Sequence, residues 1–231
     1  MDQLVQVLKD KIIVAIDSPP GDPCGDLEFK VAMARAAEVG GAGALRVGGS
    51  ELIQALSAEV NIPVIGYIKK DHPDYSIVRV TSTFEDACLA VDSGAAILAL
   101  ELTGRVRPDG LTDREIIKKI KQELGVPVIA DTSTFDEAVD AEKTGVDMIT
   151  TTLVGYTPQS MPTKDFDFDL LARLCKKIKA PVIAEGHIAS PEEAQRAVRI
   201  GAFCVVVGSM ITRPHLITKK FAEEILKVQK Q

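Results

Sequence analysis

The sequence lacks the patterns by which cysteine announces a metal or a disulfide framework. Its four cysteines, Cys24, Cys88, Cys175 and Cys204, stand far apart, with no C-x-x-C pair. His72, His187 and His215 show no metal spacing either. No metal site, no cofactor site and no disulfide set is expected, and a reduced cytoplasm is the simplest setting. A basic excess is also missing. The formal charge is -6 over 231 residues, and a nucleic-acid partner would require a basic stripe to meet its phosphates. No apolar run approaches a membrane span, and MDQLVQVLKDK breaks its apolar residues with Asp2 and Lys9, so neither membrane insertion nor a signal peptide is expected. The G-x-G-x-x-G turn of a dinucleotide-binding sheet is absent too; after the first apolar run the chain reads DSPPGDPCG. No composition shift marks a linker, and 46% hydrophobic residues suffice for one large core spanning 1–231.

What the chain does have is a repeat. KIIVAID (11–17), IPVIGYIK (62–69), VPVIAD (126–131) and APVIAEG (180–186) are short apolar runs rich in β-branched residues. Each is too short for a helix and reads as a buried parallel strand. A second phrase interleaves with them: GAGALRV (41–47), GAAILALE (94–101), GVDMITTT (145–152) and GAFCVVVG (201–208). Each opens on a glycine suited to ending the preceding helix in the left-handed conformation. TSTFEDA (81–87), TSTFDEA (132–138) and ASPEEA (189–194) mark helix starts, with capping-box spacing at Thr134/Glu137 and Ser190/Glu193 and Pro191 at the first helical position. The pair of phrases recurs roughly every 50 to 60 residues, as a (βα)2 unit used four times would. The expected fold is α/β, a (β/α)8 TIM barrel in a single domain with a short N-terminal helix; an open doubly wound sheet is the competitor.

In such a barrel the active site lies at the carboxyl ends of the strands. The residues there are Asp17, Arg46, Lys69, Glu101, Asp131, Thr152, Glu185 and Gly208. Seven of these eight are polar, which packing alone would not require. Lys69 is the candidate base, because partial burial at a barrel mouth would favour the neutral amine. Its structural alternative is a rim salt bridge with Asp131 or Glu101. Lys70 should point elsewhere, since side chains alternate along a strand. Glu185 is the candidate acid/base partner. Gly186, Gly208 and Ser209 free backbone N–H groups where many barrels hold a phosphate, and Arg213 can add a charge-assisted fork. Arg105 and Arg107 either contact substrate or pair with carboxylates of the next helix. His187 reads as a solvated loop residue, with a substrate contact as the alternative.

Taken together, VIGYIKKDHPD (64–74), IADTSTFDEA (129–138), AEKTGVDMITTTLVGYT (141–157), PVIAEGHI (181–188) and VVVGSMITRPHLITKKF (205–221) resemble the N-acetylmannosamine-6-phosphate 2-epimerases of sialic-acid breakdown. The resemblance covers nearly the whole chain. It implies cofactor-free inversion at C2 of an amino-sugar 6-phosphate, and it suggests a homodimer. It also places the family's catalytic lysine on Lys69 and its catalytic glutamate on Glu185. Substrate contacts fall on Arg46, Asp131 and Arg213, with Asp17, Glu101 and Tyr156 around them. The chain departs from the family pattern at Asp17, where glutamine is usual, at Glu101, where aspartate is usual, and at Gly104, Val106 and His187, where basic residues are usual. An anion at Asp17 in place of an amide donor changes what a hydroxyl or acetamido group can bind.

Two other readings fit the same strand tips. Lys69 as a Schiff-base nucleophile would make an aldolase or lyase. A barrel that has lost catalysis would only bind a phosphosugar. Full turnover in Lys69→Ala would exclude both catalytic readings.

Overall fold

The computed structural model describes residues 3–19, 21–71, 74 and 76–228. Eight parallel strands follow sequence order around a closed ring. They are β1 (Ile12–Ile16), β2 (Ala44–Gly48), β3 (Val64–Tyr67), β4 (Ile97–Glu101), β5 (Val128–Asp131), β6 (Met148–Thr150), β7 (Val182–Glu185) and β8 (Cys204–Val207). Helix α1 (Gln3–Gln6) precedes the ring. α2 (Leu27–Val39), α3 (Ser50–Glu59), α4 (Phe84–Asp92), α5 (Asp113–Glu123), α6 (Phe135–Thr144), α7 (Phe168–Lys177) and α8 (Pro191–Ile200) each link one strand to the next. α9 (Ser209–Thr212) and α10 (Pro214–Val228) follow β8. The barrel expected from the repeat is thus the observed fold, and the open sheet is excluded.

The helix boundaries follow local chemistry. Thr83 and Thr134 each accept a hydrogen bond from the backbone of the third helical residue, Asp86 and Glu137, whose carboxylates return to the cap backbone. Thr112 and Glu115 make the same reciprocal pair at α5, which had not been singled out in the sequence. At α8 only half of the box forms: Ser190 accepts from Glu193 N at 3.2 Å, but the Glu193 carboxylate turns to Ala189 N at 2.7 Å. The glycines opening the second phrase behave as expected, with φ of 93° at Gly41, 108° at Gly94, 87° at Gly145 and 124° at Gly201.

Strand alternation splits the apolar residues into two cores. Outward-facing residues such as Leu45, Leu98, Val128 and Ile149 meet the helices. Inward-facing ones, including Ile13, Ala44, Ile65, Ile97, Ile129, Met148, Ile183 and Cys204, fill the barrel. Val5 and Leu8 join this inner cluster, so α1 and the turn after it close the end opposite the strand tips. The same parity carried two residues further along the strands, or four along β4, brings Arg46, Tyr67, Glu101, Asp131, Thr150 and Glu185 to the inner face at the open end. No helix among the described residues is long and apolar enough to cross a membrane.

Space outside the ring is tight at β3. A Cβ on Gly66 would lie 2.5 Å from Ala95 Cβ and 3.0 Å from Ile53 Cδ1. Gly66→Ala should therefore lower unfolding free energy by about 1–3 kcal/mol through overpacking. Urea denaturation reads this directly, and an unchanged midpoint would contradict the packing described.

Candidate active site

The strand tips enclose a cavity of about 670 Å³ lined by Asp17, Arg46, Tyr67, Lys69, Glu101, Asp131, Tyr156, Glu185, Gly186, Gly208, Ser209 and Arg213 among others. Every site residue expected from the sequence borders this one space. A volume of this size suits a small ligand.

Arg46 occupies its floor. Its Nη2 donates to Asp131 Oδ2 at 2.6 Å and its Nε to Glu185 Oε1 at 3.0 Å. Arg46, Asp131 and Glu185 are 5%, 0% and 8% exposed, so one buried cation lies between two buried carboxylates. Burial works against the guanidinium charge, but Asp131 and then Glu185 outweigh it and hold the Arg46 pKa above its ordinary value. Burial raises the Asp131 pKa to about 6; Arg46 opposes the rise and the neighbouring Glu185 charge adds to it. Glu185 Oε2 accepts from Thr150 Oγ1 at 3.2 Å, while Thr151 Oγ1 bridges the Glu185 backbone, receiving from its N at 3.0 Å and donating to its O at 2.7 Å. Thr150, rather than Thr152, is thus the β6 residue that meets the carboxylate, because Thr152 lies beyond the strand end. The Arg46 Nη1 donor and the Asp131 Oδ1 acceptor are buried without hydrogen-bond partners among the described residues.

Lys69 follows β3, where its backbone bridges Val80. Thr81 secures this crossing, accepting from Ile68 N at 3.2 Å and donating to Ala99 O at 2.7 Å. The Lys69 side chain is exposed, contrary to the partial burial expected, because it reaches from beyond the strand end into the open mouth. The rim salt bridge also fails to form: Asp131 pairs with Arg46 and Glu101 with Arg105. Lys70 points away, to Asp86 at 2.5 Å. β3 and β7 are four steps apart in either direction around the ring, so Lys69 and Glu185 enter the cavity from opposite walls.

The departures from the family pattern have local partners. Asp17 Oδ2 accepts from the Tyr67 hydroxyl at 2.9 Å. The Tyr67 ring lies under the Arg46 guanidinium, 5.1 Å from centroid to Cζ, and its pKa is raised, first by burial and then by Asp17, so it stays a neutral donor. Gly48 makes room for that ring, since a Cβ there would sit 2.7 Å from Tyr67 Cε2. Tyr67 was missed in the sequence although it stands two residues before Lys69, the spacing that puts two strand residues on one face. Glu101 borders the cavity, but its carboxylate is engaged by Thr103 Oγ1, Arg79 N and Arg105, so it presents Arg105 rather than a free anion. Arg107 takes the other course and is buried against Asp113 of α5 and the Glu101 carbonyl. His187 is half-buried rather than freely solvated: it stacks on Tyr156 at 5.0 Å between centroids, with Nε2 3.3 Å from Val154 O. His72 lies outside the described residues.

At the other end of the cavity Gly186 has a φ of 97° and Gly208 precedes α9. Arg213 Nη2 donates to the Asp17 carbonyl at 2.9 Å, and its Nε lies 3.5 Å from Asp22 Oδ2. Lys164 and Lys220, from the loop after β6 and from α10, also line the cavity. Their sequence surroundings carry no signal that would have selected them.

The coupling of Asp131 to Glu185 gives a measurable titration. A raised carboxyl pKa means that Asp131 contributes stability at low pH, fully present below the ordinary value of 3.8 and lost as pH rises through about 6. Carboxyl 13C NMR should show Asp131 titrating near that value, and Glu185→Gln should lower it by removing a like charge. A rise in that variant would overturn the coupling.

Comparison with known proteins follows the same lines. A family model described as "Putative N-acetylmannosamine-6-phosphate epimerase" matches residues 30–227. Two proteins bearing the corresponding 2-epimerase description are similar over nearly their full lengths. That of Caldanaerobacter subterraneus subsp. tengcongensis is 44% identical over 94% of this chain and 92% of its own. That of Clostridioides difficile is 39% identical over 96% and 99%. Among solved structures, the N-acetylmannosamine-6-phosphate 2-epimerase from Clostridium perfringens superposes with a TM-score of 0.90 at 36% identity, covering 96% of each chain.

Proposed function

The chain belongs to the N-acetylmannosamine-6-phosphate epimerase family, and we propose that it interconverts N-acetylmannosamine 6-phosphate and N-acetylglucosamine 6-phosphate by moving a proton at C2. The observation that carries this reading is the cavity floor. A donor and an acceptor, Arg46 Nη1 and Asp131 Oδ1, are buried there with no partner in the protein, beside a carboxylate that faces a lysine across the mouth. Buried polar atoms left unpaired are costly, and a polyhydroxylated ligand removes that cost.

The chemistry proceeds from the open-chain sugar, because the C2 proton is acidic only beside a C1 aldehyde. Glu185 takes the C1 hydroxyl proton and returns it to the ring oxygen as the C1–O5 bond breaks. Lys69 then removes the C2 proton, and the electron pair moves onto the C1 oxygen as an enolate. Arg46 Nη1 donates to that oxygen and stabilises its charge in a site shielded from water. The Lys69 ammonium returns a proton to the opposite face of the planar enolate, which inverts C2 and restores the amine. Asp131 Oδ1 accepts from a sugar hydroxyl, and Asp17, oriented by Tyr67, offers an acceptor to a second donor on the substrate. The backbone N–H groups around Gly186, Gly208 and Ser209 and the Arg213 guanidinium receive the 6-phosphate. Tyr156, stacked on His187, borders the sugar.

The phosphorylated substrate and the four free cysteines support a cytoplasmic setting. Phe221, Ile225 and Leu226 expose apolar surface on α10, which supports a homodimer.

Turnover of N-acetylmannosamine 6-phosphate followed by proton NMR tests the assignment. Lys69→Ala and Glu185→Gln should each reduce kcat by at least about 10²-fold, the usual contribution of a positioned acid or base. Full turnover in Lys69→Ala would refute the proposal, and a borohydride-stable adduct at Lys69 would replace it with Schiff-base chemistry.

A further inference from the structure

Beside the phosphate end of the cavity, three residues that the reaction does not use converge from two ends of the chain. Asp22 and Cys24 belong to the loop between β1 and α2, and His215 lies in the first turn of α10. One ligand atom from each, a carboxylate oxygen, a thiol and an imidazole nitrogen, lies within 4.8 Å of the other two. The loop is organised for this: Asp22 Oδ1 accepts from Cys24 N at 2.8 Å, which turns Oδ2 toward His215. The imidazole lies against both groups, with Nδ1 3.7 Å from Cys24 Sγ and Nε2 3.8 Å from Asp22 Oδ2, and Nδ1 is the nitrogen that shares an ion with the thiol.

The geometry points to a binding site for a zinc-like divalent cation formed by Cys24, His215 and Asp22. A tetrahedral ion bonded at about 2.3 Å to sulfur and about 2.0–2.1 Å to nitrogen holds those two atoms about 3.6 Å apart, close to the present spacing. Sulfur and imidazole together favour zinc over magnesium or calcium, which require oxygen shells. Asp22 supplies the third ligand atom, within 4.8 Å of the other two, and leaves the fourth position open to water. The thiol proton leaves as the metal binds. The same carboxylate faces Arg213 Nε at 3.5 Å, so an ion competes with the guanidinium for it. Occupancy thereby pins the β1 loop to α10 and frees Arg213 from Asp22. The effect on phosphate affinity rests on the epimerase reading; metal binding itself does not.

Cobalt serves as the spectroscopic probe for zinc. The reduced full-length protein titrated with Co²⁺ should develop one equivalent of thiolate-to-cobalt charge-transfer absorption, lost on addition of Zn²⁺. Cys24→Ser should abolish the band and Cys88→Ser should keep it. His215→Gln should weaken Zn²⁺ binding by at least about tenfold, and it tests the site independently should Cys24→Ser fail to fold. Absence of the band, its survival in Cys24→Ser, or unchanged zinc affinity in His215→Gln would overturn the site. Because absorption is read without turnover, an intact band in a protein lacking epimerase activity would fault the epimerase reading alone.

Discussion

The Arg46 guanidinium, buried between Asp131 and Glu185, is the interaction on which the site depends. Two carboxylates this close to each other and this far from water would repel. One planar cation with donors on separate edges reaches both at once. The arrangement leaves Arg46 Nη1 and Asp131 Oδ1 over, and these unpaired atoms define where a substrate must place an acceptor and a donor. Electrostatic preorganisation of this kind costs stability in the free protein and gains its return when the ligand's charge develops.

The barrel makes such a triad feasible. Parallel strands in register bring Asp131 beside Glu101 and Thr150, and put Arg46 and Glu185 on the same inner layer. Below them the barrel is filled by Ile13, Ile65, Ile129 and Ile183, so the polar layer rests on a dry floor. The helices contribute little chemistry directly. Their caps fix where each βα loop leaves its strand, as Thr83 and Thr134 show, and so set the height at which each tip residue enters the cavity.

Much of this was legible before the fold was seen. The repeated strand phrases gave the barrel, and the rule that barrel chemistry sits at strand ends collected Arg46, Asp131 and Glu185 without any knowledge of their contacts. What failed did so for identifiable reasons. Lys69 was expected to be partly buried, but burial depends on how far past the strand a residue lies, which periodicity does not give. Thr152 stood at the tip of the sixth apolar run, which extends two residues past the end of β6. Glu101 was expected among the substrate contacts or paired with Lys69, and its pairing with Arg105 forms only once the loop has folded back. Cys24 and His215 had no visible relation, being 191 residues apart in sequence; only closure of the ring brings the first loop against the last helix. Tyr67 was within reach, since alternation from Lys69 identifies it.

The central claim is that the protein exchanges a proton at C2 of a phosphorylated amino sugar. Incubation with N-acetylmannosamine 6-phosphate in deuterated water, followed by NMR of the product, tests it most directly. The account predicts N-acetylglucosamine 6-phosphate carrying deuterium at C2. A product that kept its original hydrogen there would contradict it.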